Sequence, residues 1–214
     1  MAKVFDRPML ADALKKGVAE LPLAVSDAQI ERLLDYLTLL AKWNAVYNLT
    51  AVRDPSQMVV QHLLDSLAAV PAFVSARRVL DVGSGGGLPG IPIAIARPDW
   101  RVVMVDPNHK KAAFLTQAAI ELALTNVASH ASRVEDLRDE APFDVVISRA
   151  FADLATFAAT SSRHVAAHGA LVAMKGVHPA DEIAEIGSAF AVETIPVHVP
   201  GLDAARHLVF MRKP

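Results

Sequence analysis

The chain has 214 residues, 53% of them hydrophobic, enough to bury a full core without a metal or disulfide. It contains no cysteine, which excludes disulfide scaffolds, cysteine-ligated zinc, iron–sulfur clusters and thiolate nucleophiles. A formal charge of −2, from 21 basic and 23 acidic side chains, excludes coating of nucleic acid by bulk charge, although not a local basic face.

There is no signal-peptide core and no apolar run of membrane-spanning length, so a cytoplasmic protein is expected. Residues 1–76 read as a helical N-terminal extension. Ser26 with Gln29 three positions on is a capping-box pair. It opens a run that places Ile30, Leu33, Leu34, Leu37, Leu40 and Ala41 on one face. Asp54-Pro55 joins an N-cap to a proline at the first helical position, and that helix carries Val59, Leu63, Leu67 and Val70 inward. The polar-aromatic stretch 43–50 is expected to link the two helices. Trp43 and Tyr47, four apart, suit either a packed pair or stacking on an RNA base. His62 and Asp65 sit at i and i+3, where they can hydrogen-bond each other.

From 77 to 214 short apolar runs alternate with helical ones. Strands are expected at 79–82, 102–105, 127–130, 145–148 and 170–174, and helices at 91–96, 110–124, 153–167 and 181–190. Strands without polar alternation belong to a parallel sheet covered on both faces. Two further β-like runs, 192–199 and 207–212, flank Pro200-Gly201 and predict a terminal hairpin. The expected architecture is α/β: a mostly parallel sheet with a C-terminal antiparallel hairpin, packed as one unit with the helical extension. His164 and His168 have the helical spacing of a metal pair, but no third ligand accompanies them. Complementing a helix C-terminus is the simpler role, and no metal is expected. No coiled coil or dimerisation segment is evident, so a monomer is expected.

The first strand runs into Asp81-Val82-Gly83-Ser84-Gly85-Gly86-Gly87-Leu88-Pro89-Gly90. Glycines let the backbone turn sharply and approach a ligand closely, and the next helix is expected to present free amides to it. Gly85-x-Gly87-x-x-Gly90 fits a dinucleotide fingerprint. Asp81-x-Gly83-x-Gly85-x-Gly87 fits the acidic, glycine-rich loop of S-adenosylmethionine (SAM)-dependent methyltransferases. Placement favours the second, because the acid stands at the strand end and Pro89 and Pro92 interrupt the first. Asp106, directly after the second strand, is the carboxylate expected to take a ribose diol. A nicotinamide-dependent oxidoreductase is the rival reading of this loop.

The missing cysteine narrows the reaction further. Methylation at pyrimidine C5 ordinarily needs a covalent cysteine adduct. Ile147-Ser148-Arg149-Ala150-Phe151 does not resemble the Asn/Asp-Pro-Pro-aromatic loop that serves exocyclic amines. The acceptor is then a nucleophile that needs no covalent help, and the free lone pair of guanine N7 qualifies.

Several stretches together resemble the RsmG (GidB) family. They are Trp43-Asn44 with Tyr47-Asn48-Leu49-Thr50-Ala51-Val52-Arg53-Asp54-Pro55, His62-Leu63-Leu64-Asp65-Ser66, the glycine loop through Ile91-Pro92, and Ser148-Arg149-Ala150-Phe151. Lys175-Gly176 and Arg206-His207-Leu208-Val209 complete them. The resemblance implies a class I, Rossmann-like SAM-dependent methyltransferase acting on N7 of one guanine of 16S rRNA in the small ribosomal subunit. It implies cofactor-binding roles for Gly83, Leu88, Val134, Glu135 and Arg149, which join Asp106, assigned from its place after the second strand, and leaves the catalytic residues unknown. The alternative is a protein of this fold that acts on another RNA or serves as a non-catalytic ribosome-assembly factor. Arg149 meets either the methionine carboxylate or an RNA phosphate. Arg7, Lys15, Lys16, Arg53, Arg77, Arg78, Lys110, Lys111 and Lys175 are candidates for a phosphate-reading rim.

Overall fold

The computed structural model describes residues 5–138 and 141–214. Asp6 caps α1 (Arg7–Ala19). The Ser26–Gln29 capping box opens α2 (Asp27–Tyr47) as its sequence predicts. The buried face of α2 is Ile30, Leu33, Leu34, Tyr36, Leu37, Leu39 and Leu40, each such apolar side chain contributing about 1.5–3 kcal/mol on burial. Asp54 caps α3 (Pro55–Met58), which continues as a π-helical turn, Val59–Leu64, and the short α4 (Asp65–Leu67). Val59, Leu63, Leu67 and Val70 all point inward.

The stretch 43–50 is not a linker throughout. α2 runs on to Tyr47 and stops at Asn48, which adopts the left-handed conformation (φ 50°) that asparagine tolerates at a helix end. Trp43 packs against Phe114 and Tyr47, with ring centroids 5.5 and 5.3 Å away.

Seven strands follow: β1 (Arg78–Val82), β2 (Arg101–Val105), β3 (Val127–His130), β4 (Phe143–Arg149), β5 (Val165–Lys175), β6 (Ala191–Pro196) and β7 (His207–Arg212). Their order is β3-β2-β1-β4-β5-β7-β6. The first five are parallel, and β7 lies antiparallel between β5 and β6. The expected hairpin is therefore present. Alternate strand residues serve the two faces. Val79, Val102, Val145 and Val172 belong to the cluster that also takes in buried side chains of α1, α2, α5 (Gly90–Ala96) and α6 (His109–Glu121). Leu80, Val103, Val146 and Leu171 meet α7 (Leu154–Ser161) and α8 (Ala180–Ile186).

The expected helix 153–167 ends early. After Ser161 a 3-10 turn, Ser162–His164, leads into β5 at Val165. Sheet pairing with β4 overrides the helical propensity of the alanines. His164 and His168 thus share no helix face. His164 Nε2 bonds the Val134 carbonyl at 2.8 Å, and His168 Nε2 lies 3.2 Å from Asp144. No cluster of metal-ligating side chains occurs among the described residues. Among them, no helix is long and apolar enough to cross a membrane.

Candidate active site

Strand order reverses between β1 and β4, and in an open α/β sheet the crevice opens beyond the carboxyl ends of the strands at such a point. The glycine loop forms one wall. Gly83 and Ser84 donate their N–H groups to the Val105 carbonyl at 2.9 and 3.2 Å. The Gly85 N–H reaches Asp106 Oδ2 at 2.9 Å. Gly83 (φ +71°) takes a conformation that side chains rarely adopt, and a Cβ there would lie 2.7 Å from the Phe151 ring. The ring thereby joins the loop to the chain that follows β4. The Leu88–Pro89 bond is cis, and the Leu88 side chain is buried.

The helix after this loop does not present free amides. Gly90 N–H donates to Asp81 Oδ2 at 2.9 Å, Ile91 N–H to the Gly87 carbonyl at 2.8 Å, and Pro92 has no N–H. A pyrophosphate would find no donors there, which counts against the dinucleotide reading. Asp81 is fully buried, and its Oδ1 has no partner. Burial pushes its carboxyl up to about 7, against the Gly90 N–H, which favours the charged form.

Asp106 stands where the sequence places it, 4% exposed at the end of β2. Its oxygens accept from Gly85 and Asn108 N–H, both at 2.9 Å. These bonds fix its orientation without exhausting its lone pairs. Val134 and Glu135 fall on a 3-10 turn after β3. The Val134 side chain is in the core, whereas Glu135 is exposed. Their carbonyls accept from Arg163, and that of Val134 also pairs with His164.

The opposite wall is ionic. Arg149, ending β4, donates from Nη1 to the Gln61 carbonyl at 2.8 Å and to Asp65 Oδ2 at 3.1 Å. Arg206 Nε donates to Asp65 Oδ1 at 2.8 Å. Asp65, 3% exposed, is the shared anion of two arginines. Lys175, ending β5, donates to both oxygens of Glu182 at 2.8 and 3.0 Å. These groups border a cavity of about 430 Å³ between β4, β5 and the Gln61–Asp65 turn.

His62 and Asp65 do not pair with each other. The π-helical turn widens the spacing, and His62 Nε2 instead meets Thr50 Oγ1 at 2.8 Å. Burial and the neighbouring Arg149 charge hold the imidazole down to about 4, so it is neutral at pH 7 and no proton carrier there.

Tyr36 is a contributor that its sequence context does not flag. Completely buried on α2, it donates from its hydroxyl to the Gly86 carbonyl at 2.5 Å. Burial pushes the phenol above its ordinary range, so it remains a donor. Gln29, on the same helix, donates to the Ile95 and Ala96 carbonyls at the end of α5.

Part of the expected basic rim lies away from the crevice. Arg78 begins β1 and so lies a strand length from the crevice, and Arg77 precedes it. Arg7 pairs with Glu31 and Asp35, and Lys15 with Asp27. Of that set, Lys175 is the one that borders the cavity.

Among solved structures, the fold is similar to a putative O-methyltransferase from Klebsiella pneumoniae. The TM-score is 0.60 at 14% identity, covering 96% of this chain and 99% of that one. It is also similar to the O-methyltransferase TomG from Streptomyces achromogenes, solved with SAM. There the TM-score is 0.57 at 16% identity, covering 98% of this chain and 100% of that one. The architecture is thus the α/β, Rossmann-like fold of class I methyltransferases.

The sequence relatives are much nearer. The chain is 53% identical over 216 residues to the ribosomal RNA small subunit methyltransferase G of Janthinobacterium sp. (strain Marseille), covering 99% of this chain and 98% of that protein. It is 52% identical to the protein of the same name from Herminiimonas arsenicoxydans, over 99% of each. The sequence profile described as GidB, rRNA small subunit methyltransferase G, matches residues 29–209. This chain belongs to the GidB family.

Proposed function

We propose that the protein transfers a methyl group from SAM to N7 of a single guanine in 16S rRNA, acting on the small ribosomal subunit in the cytoplasm. The observation that carries this reading is the pairing of the glycine loop with Asp106 at adjacent strand ends, beside an ionic cavity. The residues fit the cofactor. Gly83 puts bare backbone at the end of β1, beside the Phe151 ring, and Asp106 is an oriented carboxylate for the two ribose hydroxyls. Leu88, Val134 and Glu135 would hold the adenosine end, the 134–135 turn through its backbone. Arg149 takes the methionine carboxylate.

When bound, SAM supplies a methyl group on a positively charged sulfur. The rest falls to the chain. Guanine N7 carries a free lone pair and no proton, so the chain needs no general base. It has to align the acceptor with the methyl group and exclude water. The neutral His62 and the absence of cysteine are consistent with that economy. Positive charge develops on the guanine ring, and a nearby carboxylate favours it.

The test is methyl transfer from labelled SAM to small subunits purified from a strain lacking the gene, with the modified base mapped. Incorporation at N7 of one guanine is expected. No incorporation, or incorporation at another base, overturns the reading.

A further inference from the structure

We infer that the cavity between β4, β5 and the Gln61–Asp65 turn is a subsite for a backbone phosphate of the acceptor RNA, with Arg206 as its anchor and Asp65 as the residue that positions it. This rests on the RNA-methyltransferase reading and adds which residues receive the acceptor strand.

The charge balance around the cavity points to an anion. Arg149, Lys175 and Arg206 face it with Asp65 and Glu182 as their carboxylate partners. Glu182 satisfies Lys175, and a single Asp65 is divided between two arginines, so one positive charge is left over. The donors tell the same story. Arg206 uses Nε on Asp65 and Nη1 on the Ala205 carbonyl, while its Nη2 has no hydrogen bond among the described residues. With Nε and Nη1 engaged on different sides of the guanidinium, Nη2 keeps its N–H donors for a second acceptor, and an anionic phosphate oxygen is a strong one. Arg206 is also only 26% exposed at its side chain. A contact made there is less weakened by solvent than one on an open surface.

Asp65 does not itself meet the ligand, because it is almost wholly covered. Its two oxygens hold one arginine each, Arg149 at the end of β4, the strand beside β1, and Arg206 just before β7. One buried carboxylate thus orients a cation toward the cofactor and another toward the RNA. A free carboxylate, such as that of the cofactor, has the same anion chemistry as a phosphate. The test has to separate those sources.

The experiment compares the full-length wild type with Arg206→Ala. S-adenosylhomocysteine binding is measured by calorimetry, and 16S rRNA binding across a series of KCl concentrations. For the variant, unchanged S-adenosylhomocysteine affinity is expected, with RNA affinity about tenfold lower. The slope of log K against log salt should be shallower by roughly 0.7–0.9, the loss of one phosphate contact. Unchanged RNA affinity and slope overturn the proposal. Loss of S-adenosylhomocysteine affinity instead assigns the cavity to the cofactor and overturns it equally. Should Arg206→Ala fail to fold, Arg206→Lys keeps a cation for Asp65 and lacks the second fork nitrogen. Several-fold weaker RNA binding is then expected, and wild-type affinity counts against the idea. If the wild type transfers no methyl group to small subunits, the failure lies with the functional reading, not with Arg206.

Discussion

The two walls of the crevice are built by different means. The glycine-loop wall is held by backbone N–H groups on carbonyls and on the carboxylates of Asp81 and Asp106. The facing wall is held by charged side chains converging on Asp65. The first kind of wall is fixed by backbone N–H groups that orient two carboxylates, which suits a cofactor that binds the same way every time. The second carries excess donors, which suits a charged and variable acceptor. Substitutions should therefore fail differently on the two sides.

The largest effect is expected at Asp65. Asp65→Ala leaves two partly buried arginines without their shared anion, and breaking such an arrangement costs about 3 kcal/mol. Urea unfolding should show a loss of that size, together with loss of methyl transfer. Stability within about 0.5 kcal/mol of wild type, the range of ordinary surface substitutions, would show that the clamp is not structural.

On the loop wall the sensitive atom is a missing one. A Cβ on Gly90 would lie 2.7 Å from Asp81 Oδ2 and 2.9 Å from Met104, all within the core. Gly90→Ala should cost about 2 kcal/mol by overpacking and weaken S-adenosylhomocysteine binding, leaving the salt dependence of RNA binding as it was. A variant that alters RNA binding instead would dissolve the distinction between the walls.

Tyr36→Phe is gentler and asks whether the N-terminal helix belongs to the cofactor wall. The change removes one hydroxyl and strands the Gly86 carbonyl, which costs about 1–2 kcal/mol when buried. The expected kinetic signature is a raised KM for SAM with kcat nearly retained. Equal losses in both would mean that the hydroxyl supports the fold without setting the loop.

What could be read from the sequence follows the same division. The bonds that define the loop wall close over short separations, 9 residues for Gly90–Asp81 and 21 for Gly85–Asp106. A motif at two strand ends therefore contains them. Asp65 meets partners 84 and 141 residues away, and Tyr36 reaches Gly86 across 50. No local pattern encodes such contacts. For the same reason His62 and Asp65 looked like a helical pair: spacing predicts a shared face, and the π-helical turn between them cannot be seen beforehand. The misplaced boundary at Val165 is likewise tertiary, since pairing with β4 decides it. The end of α2 was misplaced too: the polar residues of 43–50 read as a linker, whereas the helix continues to Tyr47 and stops only at the left-handed Asn48.

The smallest expected effect lies in the pH dependence of stability, where the two walls oppose each other. Asp81, on the loop wall, moves from an ordinary 3.8 up to about 7 on folding. The folded protein holds its proton more tightly, so stability from this group is present at low pH and is lost as pH rises through about 4 to 7. His62, on the ionic wall, moves from 6.5 down to about 4. Its imidazole is neutral in the fold, so stability from this group is present above 6.5 and is lost as pH falls toward 4. Each titrates at most one proton, so neither slope exceeds about 1.4 kcal/mol per pH unit, and between 4 and 6.5 they largely cancel. Asp81→Asn should unmask the histidine and make stability rise with pH across that interval. His62→Gln should unmask the aspartate and make it fall. Urea midpoints measured from pH 4 to 8 for the two variants decide the matter: slopes of the same sign would mean that at least one of the two groups does not titrate as its surroundings dictate.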